Sequence, residues 1–208
     1  MSDTLDSPAR LLETIAAYDA CAENYSVRYR SVDFTHKISE FVRALPPTGD
    51  PVLDAGCGPG RDTAAFAAQG VPGIGLDRSL PMLKIAQRAA GGAQVVQADM
   101  RSLPFRDCTL AGIWQCASLL HLSPSEARSA LVEAHRTLVF RGALFISVAH
   151  GSGSEWRVAD GGFRRWFHYY EPNTIEQLLQ SAGLTMCTLQ VEPGVVHGKW
   201  INVLARKD

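Results

Sequence analysis

From residue 51 to residue 149 the chain alternates short apolar runs with amphipathic stretches, and that alternation is its tightest constraint on fold. The runs are 51–55, 71–76, 93–98, 110–116 and 143–149, with helical patterns between them at about 61–69, 80–90 and 124–139. Strands that alternate with helices of this length form right-handed βαβ units and a parallel sheet. Upstream, Leu11, Leu12, Ile15, Tyr18 and Ala22 recur at helical spacing, as do Ile38, Phe41, Val42 and Leu45. Pro46-Pro47-Thr48-Gly49 then stops the second helix. Downstream, a Gly- and aromatic-rich stretch (151–170) precedes a helix at 174–182 closed by Gly183. Two strand candidates follow, 184–191 and 200–205, close enough to pair as an antiparallel hairpin. The fold class expected is α/β, an open sheet with a helical N-terminal cap. One domain covering 1–208 is expected, with the cap at 1–45, the core at 51–150 and the remainder at 151–208.

A chain of 208 residues buries about 70% of its unfolded surface, so neither disulfides nor a metal is needed to hold the core. With 46% hydrophobic and 20% charged residues, disordered, collagenous and coiled-coil classes are excluded. Twenty Lys and Arg balance 21 Asp and Glu without any basic run, so no nucleic-acid partner is expected. The longest apolar stretch, around 143–149, falls far short of the ~20 residues that cross a bilayer, so no membrane association is expected. Asp3, Asp6 and Arg10 stand where a secretory leader would be apolar. Cys21, Cys57, Cys108, Cys116 and Cys187 are odd in number and contain no Cys-x-x-Cys pair. That usage fits a reducing, cytoplasmic setting and no zinc site.

Ligands of open parallel sheets sit beyond the carboxyl ends of the strands, where the strand order reverses. The first strand ends in Asp54-Ala55-Gly56-Cys57-Gly58-Pro59-Gly60, whose alternate glycines let backbone approach a ligand closely. The second ends in Asp77, placed to bind both hydroxyls of a ribose or, alternatively, to cap the helix starting near Ser79. The third ends in Asp99-Met100, where a carboxylate can accept the amino hydrogens of adenine or cap a turn. Three acidic tips in succession favour the nucleoside reading.

These residues resemble the class I S-adenosylmethionine-dependent methyltransferases over about 18–206. Val52-Leu53-Asp54-Ala55-Gly56-Cys57-Gly58-Pro59-Gly60 is similar to the family's glycine motif, Gly75-Leu76-Asp77 to its ribose motif, and Ala98-Asp99-Met100 with Leu103-Pro104-Phe105 to its adenine motif. The segment from Leu110 to His121-Leu122 is similar to its fourth strand and following loop, and Arg141-Gly142-Ala143-Leu144 to its turn into the fifth. Tyr18-Asp19, Ala22 and Tyr25 resemble its N-terminal helix. Leu110-Ala111 departs from the aromatic–Asp pair usual at the start of strand four.

The resemblance implies a Rossmann-like three-layer sandwich on seven mostly parallel strands, the last antiparallel, with S-adenosyl-L-methionine as cofactor. It implies that Asp54 and the backbone of Gly56, Cys57, Gly58 and Gly60 hold the methionine end, Asp77 the ribose, and Arg78, Asp99 and Met100 the adenine. Backbone at Gln115 and Cys116 would face the ammonium group, and Tyr18 and Tyr25 would close over the cofactor. The main competitor, a nicotinamide dinucleotide enzyme, fits poorly. Arg61 stands at the third fingerprint position, and Pro59 lacks an N–H.

On the acceptor side, His121 follows the fourth strand and is read either as a base or as a shaper of the pocket. His150 is a second candidate. Trp156, Arg164, Arg165, Trp166 and Tyr169 would form an aromatic, partly cationic wall suited to a flat or acidic small molecule. Methyl transfer to a small-molecule acceptor by a monomer or homodimer is expected. The alternatives are a protein or tRNA acceptor, or a non-methylating protein on the same scaffold.

Overall fold

The computed structural model describes residues 7–89, 93–158, 160–194 and 198–208. Two helices, α1 (Ser7–Tyr29) and α2 (Thr35–Ala44), precede β1 (Val52–Ala55). The chain then alternates α3 (Arg61–Ala68), β2 (Gly73–Asp77), α4 (Leu80–Ala89), β3 (Gln94–Gln97), β4 (Leu110–Cys116), α5 (Pro124–Thr137) and β5 (Leu138–Ala149). Strands β6 (Ser154–Val158) and β7 (Arg164–His168) come next, then α6 (Pro172–Ser181), β8 (Leu184–Pro193) and β9 (Lys199–Lys207).

Seven strands form one sheet in the order β3-β2-β1-β4-β5-β9-β8. The strands from β1 to β5 run parallel, and within this sheet β9 alone runs opposite to the other six. The order reverses between β1 and β4, which opens a crevice at their carboxyl ends. The Rossmann-like sheet, the helical cap and the terminal hairpin all match the sequence expectation. Asp3, Asp6 and the end of the 80–90 pattern lie outside the described residues. No helix among the described residues is long and apolar enough to cross a membrane.

Two features depart from expectation. The stretch 151–170 folds β6 against β7 as a separate antiparallel pair. Strand β5 starts at Leu138, where a helix to 139 was expected, because Leu138 already pairs with Leu110 before the register shifts. Arg141 sits at φ 63 within that irregular start.

Strand periodicity divides the core between two faces. Leu53, Leu144 and Ile146 pack with Ala127, Leu131 and Ala134 of α5 and with Ile175 and Leu179 of α6. Val52 and Phe145 face the other way, with Ile38 and Phe41 of α2 and Phe66 of α3. At the centre of that second layer Trp114 stacks on Phe145 at 3.9 Å and donates its indole N–H to Asp62 at 2.9 Å.

An ionic network fastens α1 to this frame. Pro124 and a capping box of Ser123 and Glu126 start α5. The Glu126 carboxylate also accepts from Arg10 of α1 and, at 2.6 Å, from Arg101, which in turn grips Asp99. Glu126 and Arg10 are both buried. Removing one partner of a buried pair strands the other's charge and costs about 3–5 kcal/mol. Glu126→Ala should therefore lower stability by that order in urea denaturation, and an unchanged midpoint would show that the network contributes nothing.

Candidate functional site

A cavity of about 540 Å³ opens at the carboxyl ends of β1, β2 and β4, beneath α1 and β7. Its volume lies in the ordinary range for small-molecule sites, roughly 300–1,000 Å³. The floor is the turn after β1. Gly58 takes φ +51, and the position a Cβ would occupy there has no atom within 4 Å, so its backbone meets open space. Gly56, Cys57 and Pro59 line the same floor, but Gly60 does not. A Cβ on Gly60 would stand 2.7 Å from Ala86, so this glycine lets α3 pack on α4.

The three acidic tips have different settings. Asp54 is buried and accepts from the Thr63 hydroxyl at 2.7 Å. Burial, reinforced by nearby Asp62, pushes its carboxyl up to about 8. Asp77 accepts from the Gly58 N–H at 2.9 Å and the Ser79 N–H at 2.8 Å while still lining the cavity. It therefore caps the turn and faces the ligand space together. Asp99 accepts from the Arg101 guanidinium and backbone, and pairs with Arg78 at 3.2 Å. Burial opposes ionisation of Asp99, but these hydrogen bonds hold its carboxyl below the usual range.

Met100 and Cys116 also line the cavity. Gln115 does not: its amide N–H reaches Met100 Sδ at 4.0 Å, and its buried Oε1 has no partner among the described residues. Burial pushes the Cys116 thiol well up, which keeps it protonated. Among the described residues, no group of three His, Cys, Asp or Glu is arranged to hold a metal ion.

Helix α1 supplies the roof. Tyr18 and Tyr25 meet edge to face at 5.4 Å, and both line the cavity. Tyr18 lies 2.8 Å from His121 Nε2, and His121 Nδ1 lies 2.7 Å from the Trp166 carbonyl oxygen. A carbonyl only accepts, so the hydrogen-bond network puts the proton on Nδ1 and leaves Nε2 to accept from Tyr18. Burial also pushes His121 down to about 4. The remaining ring lone pair then accepts from Tyr18, a setting that suits a residue that positions Tyr18 and shapes the pocket.

Strand period decides the expected acceptor wall. On β7, Arg165 and Phe167 face the cavity. The alternate Trp166 turns away beneath Arg10, at 3.9 Å, and stacks on His168. Arg164 pairs with Glu13 and lies over Trp156. The Tyr169 hydroxyl donates to Glu155 at 2.5 Å, and the backbone N–H of His150 bonds to Lys199. Of the seven residues expected on the acceptor side, His121 and Arg165 line the cavity; His150, Trp156, Arg164, Trp166 and Tyr169 do not.

A polar row on the opposite wall was missed. Ser147 donates to Asn202 Oδ1 at 2.8 Å, Asn202 donates to Glu192 at 3.0 Å, and Lys37 donates to Glu192 at 2.6 Å. The legible signal was Ser147 and Asn202 interrupting apolar strands; they are cross-strand partners. Arg61 was missed as well; it lines the floor and is paired bidentately with Asp62.

Residues 52–142 match the family model described as a methyltransferase domain. The malonyl-[acyl-carrier protein] O-methyltransferase of Pseudescherichia vulneris is 35% identical over 114 residues, covering 52% of this chain and 45% of that protein. The tRNA (carboxymethyluridine(34)-5-O)-methyltransferase of Arabidopsis thaliana is 34% identical over 122 residues, covering 56% of this chain and 27% of that protein. This chain thus spans less than half the length of either relative. Among solved structures, the 1,6-didemethyltoxoflavin-N1-methyltransferase of Burkholderia thailandensis aligns with a TM-score of 0.78 at 22% identity, over 100% of this chain and 92% of that one. That likeness is one of fold. This chain is thus similar to methyltransferases over residues 52–142 and in its fold.

The Asp54 setting gives a pH dependence with a defined sign. Its folded carboxyl holds a proton up to about pH 8, whereas the unfolded one loses it near pH 4. The unfolded state thus binds fewer protons between those values, and stability falls as pH rises through them. Asp54→Asn removes that loss, so the variant should gain in melting temperature relative to the parent between pH 5 and pH 8. A difference that stays constant with pH would contradict the assignment.

Proposed function

We propose that this domain transfers a methyl group from S-adenosylmethionine to a small-molecule acceptor. The bound cofactor would supply a methyl carbon on a sulfonium sulfur, open to in-line displacement by an O, N or C nucleophile. The residues present fit it. The open space over Gly58 admits a ligand against backbone, Asp77 presents a carboxylate beside that space, and Asp99, Arg78 and Met100 continue the same wall. In this reading Asp54 and the Gly56–Gly58 backbone serve the methionine end, Asp77 the ribose, and Asp99 with Met100 the adenine.

The observation that carries the proposal is the continuity of one cavity. It runs from the three acidic tips to an aromatic chamber bounded by Tyr18, Tyr25 and Phe167. That chamber is walled by the chain's own helix and hairpin, which favours a small acceptor. The bound 1,6-didemethyltoxoflavin of the Burkholderia structure is an acceptor of that class. Two nucleophile-independent effects fall to this chain, water exclusion and alignment, and alignment alone can supply up to about 7–11 kcal/mol of barrier. His121 contributes by fixing Tyr18. The five free thiols support a cytoplasmic setting.

Calorimetric titration with S-adenosylhomocysteine tests the proposal. Asp77→Ala removes charge-assisted hydrogen bonds and should weaken binding by at least ~10-fold with the fold retained. No binding by the parent protein, tight binding of NAD in its place, or an unchanged affinity in the variant would defeat it.

A further inference from the structure

The cations around the cavity are mostly neutralised by carboxylates. Arg61 pairs with Asp62, Arg78 with Asp99, Arg157 with Glu155, and Lys37 with Glu192. Arg165 differs. Among the described residues its guanidinium has no carboxylate partner, and its one hydrogen bond is from Nη1 to the Tyr18 hydroxyl at 3.3 Å. Its Nε–H is buried and donates to none of the described residues. The guanidinium carbon lies 5.1 Å from the Tyr18 ring centre, 5.8 Å from Phe167 and 6.0 Å from Tyr25.

Such a group is charged at any physiological pH and offers a planar fork of donors. Ring faces stabilise its charge without filling the fork, because cation–π attraction leaves the in-plane N–H groups unused. A half-buried guanidinium with an unused, desolvated donor is therefore built for an anion that arrives from outside the chain. The aromatic surfaces around it ask that the anion be carried on an apolar or aromatic body.

We infer that Arg165 is the anchor for a carboxylate on the methyl acceptor, so the acceptor is an organic acid seated against Tyr18 and Phe167. This deepens the methyltransferase reading and rests on it. The position follows from the strand: Arg165 and Phe167 share the inward face of β7, so the charge and the ring that would flank the acid come from one two-residue spacing. One guanidinium without a carboxylate partner among the described residues matches one negative charge, which favours a carboxylate over a phosphate ester. The Tyr18 hydroxyl, held by His121, fixes the side of the guanidinium that the acid does not use. Arg165 is thus a specificity residue; no proton or bond is moved by it.

The test uses the full chain saturated with S-adenosylhomocysteine and titrated with benzoate, phenylacetate and cinnamate, each against its neutral amide. At least one acid should bind about tenfold or more tightly than its amide, as expected of a charge-assisted pair. Arg165→Gln should reduce that preference below ~3-fold and Arg165→Lys should keep part of it, both with S-adenosylhomocysteine affinity within ~3-fold of the parent, which shows an intact fold. Equal binding of acids and amides, no binding of any acid, a preference that survives Arg165→Gln, or tighter binding of phenyl phosphate than of every carboxylate would overturn the inference. If S-adenosylhomocysteine itself does not bind, the methyltransferase reading fails separately. The same titrations on the ligand-free protein then decide the anion site alone.

Discussion

The hydrogen bond from the Gly58 N–H to the Asp77 carboxylate is the constraint on which the site depends. It joins the turn after β1 to the tip of β2, reinforcing the two N–H groups of Gly56 and Cys57 that bond to the Leu76 carbonyl. The strands are parallel neighbours, so their tips are level, and the bond fixes how far the glycine turn opens. A side chain at Gly58 would project into the open space of the cavity, and loss of the carboxylate at position 77 would leave the turn untethered. One carboxylate thereby sets the backbone and faces the ligand.

A second, longer connection links the roof to the far end of the cavity. Arg10 on α1 meets Glu126 at the start of α5, Glu126 meets Arg101, and Arg101 grips Asp99. Nearer the chamber, Tyr18 meets His121, and the Trp166 N–H donates to Thr14 of α1 at 3.1 Å. The first half of the helix above the cavity is thus held by polar groups whose partners belong to α5, to the turn at His121 and to β7. Burial makes these contacts directional and costly to break, so the height of the roof is fixed by chemistry at the cavity's edges.

Much of this was legible in the sequence because it follows from periods and spacings. The strand-helix alternation gave the parallel sheet, and the turns and acidic tips gave the floor; Asp54, Gly56, Gly58, Asp77 and Asp99 stand where that reading put them. What was lost depended on direction. The 151–170 stretch carries large side chains on consecutive residues, so its alternation was invisible until β6 paired with β7. Only then did Arg165 separate from Arg164 and Trp166. The setting of His121 depends on Tyr18, 103 positions away in the chain, a distance no local pattern reports. Ser147 and Asn202 were readable as polar interruptions of apolar strands, but their pairing awaited the β5–β9 register.

The most direct test of this account is a crystal structure of the chain with S-adenosylhomocysteine bound. The account predicts the ribose hydroxyls on the Asp77 carboxylate, the adenine beside Asp99 and Met100, and the sulfur directed toward the chamber under Tyr18 and Phe167. A ligand seated outside this crevice, or one lying in it with Asp77 touching no ribose oxygen, would contradict it.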